Sequence, residues 1–232
     1  MLLTFTGIGS AYHPEMGSNS AYFVADQSLY ILDCGESVFK RMKAMNFDFA
    51  SFERVVFFIT HMHSDHIGSL AGFVSYLSHV VEIRPYVVHP LQTLADFFTL
   101  CGIYPDEYVQ IMANHYDDEH VQVAFEPTEH VANMQCFGLY INIPVSEQSF
   151  YYSGDAAILP KKYLDAFNAG EIDIWYQDVT IHADNASHYY YKNLFAEVKA
   201  DRLGHVICMH LEEQADEVLK EAGLRCASLP KV

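Results

Sequence analysis

The sequence contains no CxxC pair. Its five cysteines, Cys34, Cys101, Cys136, Cys208 and Cys226, are scattered and odd in number, which argues against a disulfide framework and against a thiolate zinc knuckle. A reducing cytoplasm is the setting this implies. Cations are scarce as well: 13 Lys and Arg stand against 30 Asp and Glu, a formal net charge of -17 that repels a long phosphate backbone. Long nucleic acid is therefore disfavoured as a partner. No apolar run is long enough to span a bilayer, and Met1 to Gly7 carries neither a basic segment nor a cleavage site, so neither membrane insertion nor secretion is expected. Low-complexity tracts, solenoid repeats and Pro/Gly-rich linkers are also missing, and residues 1–232 read as one domain. No GxGxxG or GKS/T follows Gly7-Ile8-Gly9, so that segment is expected to be a tight turn and no nucleotide cofactor is indicated.

What is present alternates. Short runs rich in β-branched and aromatic residues predict strands at Leu2 to Thr6, Ala21 to Ala25, Leu29 to Leu32 and Arg54 to Ile59. Further strands are predicted at Val121 to Phe125, Cys136 to Ile143, Phe150 to Ser153, Ile172 to Tyr176 and His205 to Met209. Helical patterns fall at Ser37 to Met45, Ser69 to Leu77, Leu91 to Leu100, Lys161 to Phe167, Tyr189 to Val198 and Glu213 to Ala222. Both halves thus carry strands followed by helices, and two sheets with helices outside them accommodate this α/β (α+β) pattern. The sixteen tyrosines and sixteen phenylalanines lack interleaved Lys or Arg and read as core and pocket wall.

The chemistry concentrates in Thr60-His61-Met62-His63-Ser64-Asp65-His66, directly after the apolar run Arg54 to Ile59. His61 and His63 are two apart and share a side if the backbone stays extended, while Asp65 and His66 enter a turn. Imidazole and carboxylate together suit zinc, iron or manganese. More candidates follow apolar strands later in the chain: His130, Asp155 in Tyr152-Ser153-Gly154-Asp155, and His210 after Ile207-Cys208-Met209. Five histidines and two carboxylates suffice for two divalent ions that each keep an open position. The other histidines, His13, His79, His89, His115, His120, His182 and His205, read as surface or packing groups, with His13 and His182 the two to watch.

With HxHxDH followed by His, Asp and His on later strands, the chain resembles the metallo-β-lactamase superfamily. Leu32-Asp33-Cys34-Gly35-Glu36 matches that superfamily's first motif, whose Asp steadies the metal loop. The resemblance implies a four-layer αββα sandwich. It also implies that His61, His63 and His130 hold one ion, that Asp65, His66 and His210 hold the other, and that Asp155 bridges them. Zinc is the metal implied, with manganese or iron as alternatives.

A narrower resemblance is to the ribonuclease Z branch and its small phosphodiesterase relatives, through Thr6-Gly7-Ile8-Gly9-Ser10-Ala11, Asn19-Ser20-Ala21, and His188 preceded by Gln177-Asp178-Val179-Thr180. In that branch a Glu-Ala-Thr segment and a histidine at a helix start lie beside the metals. By analogy Asp178 replaces the Glu and orients His188, which protonates the leaving oxygen; Asp65, His188 and Asp178 are the catalytic candidates. That branch often forms dimers, so a homodimer is an implied state. Two departures weaken phosphate recognition: Tyr189-Tyr190 stand where Ser-Thr is usual, and Leu211-Glu212-Glu213 where a phosphate-facing Ser and Arg are usual. No Gly/Pro- and Lys-rich arm of the kind that grips tRNA is present.

The expected reaction is hydrolysis, in which two ions lower the pKa of a bridging water and the hydroxide attacks phosphorus or carbonyl carbon. A phosphodiesterase for a small molecule or short oligonucleotide leads: a cyclic nucleotide, a cyclic phosphate or an oligonucleotide end. A lactone or thioester hydrolase with the same metal site is the alternative. A di-iron redox protein would carry Glu near Ser64 and a flavin domain, and neither is present; a metal-binding protein without turnover is the remaining alternative. Tyr104 to Asp118 is expected to form a lid.

Overall fold

The structure is a computed structural model, and it describes residues 3–230. Its first sheet has the order β1-β2-β3-β4-β5-β6: Thr4–Gly7, Ser20–Ala25, Ser28–Leu32, Arg54–Phe58, Tyr86–Val88 and Val109–Ile111. Of the strand expected at Leu2 to Thr6, Leu2 lies outside the described residues.

Alternation in β3 and β4 explains why this sheet is covered on both faces. Tyr30, Leu32, Val56 and Phe58 point to one side and join a core shared with the second sheet. Leu29, Ile31, Val55 and Phe57 point to the other and pack with Val38 and Met42 of α1 (Val38–Ala44), Ile67 of α2 (Ser64–Ile67), Phe73 and Val74 of α3 (Leu70–Tyr76), and Leu94 and Phe98 of α4 (Thr93–Leu100). A period of two with both faces apolar is the mark of a sheet buried between layers.

The second sheet contains β7 (His115–Asp117), β8 (Gln122–Thr128), β9 (Cys136–Ile143), β10 (Gln148–Tyr152), β11 (Ile174–Thr180), β12 (Tyr189–Tyr190), β13 (Val206–Met209) and β14 (Arg225–Cys226). Its order is β14-β13-β11-β10-β9-β8-β7, with β12 paired to β11. Phe23 meets Phe150 edge-on across the sandwich at 5.7 Å, and Phe5 meets Tyr176 at 5.7 Å. On the outer face Tyr151 and Trp175 carry Tyr163 and Phe167 of α5 (Lys161–Ala169), which starts after Pro160 and stops at Gly170 in the left-handed region. The short α6 (Leu194–Glu197) and then α7 (Ala215–Glu221) follow. The layers are α, β, β, α, as expected.

Two expectations differ. The helix predicted from Tyr189 begins as strand β12, because β11 runs on to Thr180 and its end pairs with Tyr189 and Tyr190, residues that suit a pleated surface. Tyr104 to Asp118 is no lid: it supplies the edge strands β6 and β7 of the two sheets.

Asp118 ties those sheets together. Its Oδ2 accepts hydrogen bonds from Tyr30, Tyr116 and Arg54 at 2.8, 2.8 and 2.9 Å, and its Oδ1 accepts from the backbone of His120 and Val121. Burial opposes its charge, but these donors outweigh burial and hold its pKa below the usual carboxylate range. Asp118→Ala strands the buried Tyr30 hydroxyl, and is expected to cost about 2–4 kcal/mol. Thermal unfolding at neutral pH should show the loss. Because the folded pKa is depressed, the wild-type advantage is present above the unfolded pKa and disappears as pH falls through the folded value.

Candidate metal centre

The carboxyl ends of β3, β4, β8, β10, β11 and β13 meet at one edge of the sandwich, and the residues that follow them carry the chemistry. After β4 the chain stays extended through His63 and then turns into α2, which presents Asp65 and His66. That turn is sealed against the loop after β3: Cys34 N donates to His66 O at 2.7 Å and Ser69 N to Cys34 O at 3.1 Å. Gly35 is required there, since a methyl group at this position would collide with the Asp65 carbonyl. Asp33 and His210, each the first residue after its strand, have φ of 60° and 58°, strained values for residues with side chains and typical of functional positions.

Two groups of donors emerge. His61, His63, His130 and Asp155 form one, and Asp65, His66, Asp155 and His210 the other; within each group the donor atoms lie within 4.8 Å of one another. In the first, His63 Nδ1 stands 3.0 Å from His61 Nε2 and 3.3 Å from His130 Nε2. In the second, His66 Nε2 is 3.1 Å from Asp155 Oδ1 and His210 Nε2 is 3.2 Å from Asp65 Oδ2. Donors about 2.0–2.1 Å from a tetrahedral zinc ion stand about 3.3 Å apart, so these spacings suit a cation at each centre. Asp155, whose Oδ2 faces His61 and His130 at 3.8 and 3.6 Å while its Oδ1 faces His66, belongs to both.

The outer contacts fix which nitrogen carries a proton. Thr60 Oγ1 donates to Asp33, so it accepts from His61 Nδ1 at 3.0 Å and leaves His61 Nε2 a bare lone pair. His66 Nδ1 donates to Asp33 Oδ2 at 2.9 Å, and His130 Nδ1 to Ser187 O at 2.8 Å. His210 Nδ1 lies 3.3 Å from Asp178 Oδ1. Inward nitrogens backed by such partners are the usual arrangement of metal-binding histidines. Buried His66 Nε2 and Asp155 Oδ1 have no hydrogen-bond partner, which is a cost unless a cation meets them. The donor set therefore fits divalent metal ions.

Electrostatics agree. Burial opposes a charge on His66 and His210, yet Asp155 and the neighbouring carboxylates outweigh it, holding His66 well above its ordinary value and pushing His210 up to about 10. The same carboxylates are held down: burial would raise Asp155, but His210 and His66 keep it well below the usual range. His61 goes the other way, lowered by burial and by His66. Negative charge is in excess where both groups meet, and a cation relieves it.

His188 stands at the mouth. Its Nδ1 is 2.6 Å from Asp178 Oδ2, and its ring centroid is 4.9 Å from that of His130 and 5.0 Å from that of His210. Asp178 is fully buried and also accepts from Ala156 N at 3.0 Å. Burial lowers the His188 pKa, but Asp178 outweighs it, so the imidazolium persists above its ordinary range.

Three supports outside the donor groups take their roles only from the fold. Thr60 orients both Asp33 and His61, and its place directly before the cluster was the available signal. Asn19 donates to Tyr152 at 2.9 Å and accepts from His210 N at 3.3 Å, bringing the N-terminal segment to the last candidate ligand. Gly9 bridges Ser18 and Leu211, so the tight turn expected at Gly7-Ile8-Gly9 is not found: Gly7 ends β1, and the segment continues as backbone paired with residues 16 to 18 and Leu211.

The sequence profile described as Anti-Pycsar protein Apyc1 matches residues 1–91 and 85–226. The chain belongs to the Anti-Pycsar protein Apyc1 family. The Apyc1 protein of Bacillus phage 010DV004 is 28% identical over 181 residues, 67% of this chain and 68% of that protein. Among solved structures, human tRNase Z, short form, superposes with a TM-score of 0.72 at 19% identity over 99% of both chains. The metallo-β-lactamase fold protein YhfI from Bacillus subtilis gives a TM-score of 0.74 at 15% identity over 99% of this chain and 95% of that one. The metallo-β-lactamase fold expected from the sequence is the fold found. This member of the Apyc1 family is a metal-dependent hydrolase. Among its described residues no helix is long and apolar enough to cross a membrane.

Proposed function

We propose that this chain is a dinuclear phosphodiesterase for small or short phosphodiesters, such as a cyclic nucleotide, a cyclic phosphate or an oligonucleotide end. The observation that carries the reading is the His188–Asp178 pair beside both donor groups. In it His61, His63 and His130 would hold one ion, Asp65, His66 and His210 would hold the other, and Asp155 would serve both; zinc suits this donor set. Divalent ions bound there supply a nucleophile by lowering the pKa of coordinated water, and they polarise the phosphoryl oxygens.

The chain's own residues do the rest. Asp33 and Thr60 keep His66 and His61 aimed inward. Asp178 holds His188 protonated, and His188 passes that proton to the departing oxygen, which an alkoxide leaving group requires. Asp178 then stabilises the imidazole in the orientation from which it is reprotonated.

Asp178→Asn removes the charge that raises His188. The imidazolium then loses its proton at lower pH, so the alkaline limb of the kcat profile is expected to move to lower pH. An unmoved limb, with metal content intact, would remove Asp178 from this role. The whole reading is tested by incubating metal-loaded protein with bis-p-nitrophenyl phosphate, cyclic nucleotides, lactones and thioesters. Hydrolysis of phosphodiesters supports it, and turnover confined to lactones or thioesters overturns it.

A further inference from the structure

The cleft over the candidate centre has a volume of about 830 Å³, and among the described residues no Lys or Arg lines it. Its wall beyond the histidines includes Glu212 and Glu213. Glu212 is no free surface side chain. Its Oε2 lies 3.1 Å from His182 Nε2, and its side chain is 22% exposed. His182 is anchored through its backbone N, which donates to Thr180 Oγ1 at 3.1 Å at the end of β11. Just before Glu212, Leu211 N donates to Ile8 O at 2.7 Å and Leu211 O accepts from Ser10 N at 3.0 Å. His182 thus holds the Glu212 carboxylate at the mouth, and the segment after β1 holds the backbone just before it.

We infer that Glu212 is a specificity-determining residue that selects substrates by charge. This rests on the phosphodiesterase reading and narrows it. The scissile phosphodiester carries one negative charge, which the centre accommodates. A second phosphate that reaches the Glu212 and Glu213 side of the cleft meets two carboxylates, with no Lys or Arg among the described lining residues to offset them. Like charges at such separations in a partly solvated cleft repel appreciably, and the repulsion weakens with salt. The substrate class that fits has a single anionic group and, in its remainder, hydroxyl or amino hydrogens that a carboxylate can accept. Terminally phosphorylated and oligomeric substrates are rejected.

Two chromogenic substrates with the same scissile bond and leaving group isolate this effect: thymidine 5′-(p-nitrophenyl phosphate) and its 3′-phosphorylated counterpart. Wild-type kcat/KM is expected to favour the first. Glu212→Gln is expected to narrow that preference by about 5- to 10-fold at low ionic strength, through KM, and added salt should shrink the difference. Glu221→Gln, an equal charge change on exposed α7, should leave the preference where it was. An unchanged preference in Glu212→Gln, or an equal narrowing in Glu221→Gln, overturns the inference. Calorimetric binding of thymidine 5′-monophosphate and thymidine 3′,5′-bisphosphate to each metal-loaded protein gives a second reading that needs no turnover. If neither chromogenic ester is cleaved while a lactone is, the phosphodiesterase reading falls. The binding ratio still decides whether Glu212 turns away the second phosphate.

Discussion

Asp155→Ala is expected to strip the protein of both ions and to lower turnover by about 10⁴-fold or more. Asp155 is the one residue common to both donor groups, and it is almost fully buried between His66, His61, His130 and His210. Removing it leaves each group with three donors. It also removes the carboxylate that offsets the charge on His66 and His210, so those imidazoles lose much of what favours their charged form. Elemental analysis of purified variant and wild type checks the metal loss, and far-UV circular dichroism checks that the fold persists. His63→Ala, in comparison, removes a donor from the first group alone. Retention of two equivalents of metal by Asp155→Ala would refute its place in both.

His188→Ala should leave the metal content unchanged and cut kcat by about 10²- to 10⁴-fold on a substrate whose leaving group is an alkoxide. His188 belongs to neither of the two groups centred on the HxHxDH cluster, although it forms a third with Asp155, Asp178 and His210. That third grouping makes the metal analysis decisive: a proton donor is dispensable for metal binding, a ligand is not. With p-nitrophenolate as leaving group, which departs without a proton, the loss should be much smaller. An equal loss on both substrates would exclude the acid role.

Local geometry decided what could be read in advance. The HxHxDH cluster was legible because its four candidates are contiguous and follow an apolar strand. His130, Asp155 and His210 were legible because a polar residue after a strand is where a sheet delivers side chains to its edge. Helix α5 and strand β9 stood out through period and length. The short strands β5, β6 and β7 did not, because three residues carry too little pattern, and they exist through pairing with distant neighbours. The sequence from Tyr189 favours helix over strand β12 for the same reason: its pairing with Val179 and Thr180 is a tertiary event. Nothing in the spacing of His182 and Glu212 hints that the fold brings them to one cleft, since their contact runs between strand ends far apart in the chain.

The distribution of candidate ligands over the two sheets bears on how the protein folds. His61, His63, Asp65 and His66 arrive together from the first sheet, but His63 meets His130 across 67 residues of chain and Asp65 meets His210 across 145. Closing loops of that length costs entropy before any bond to an ion repays it. Neither centre can be complete on half of the sandwich. Capture of ions by these residues would therefore be a late event, one that follows the docking of the sheets and then locks it.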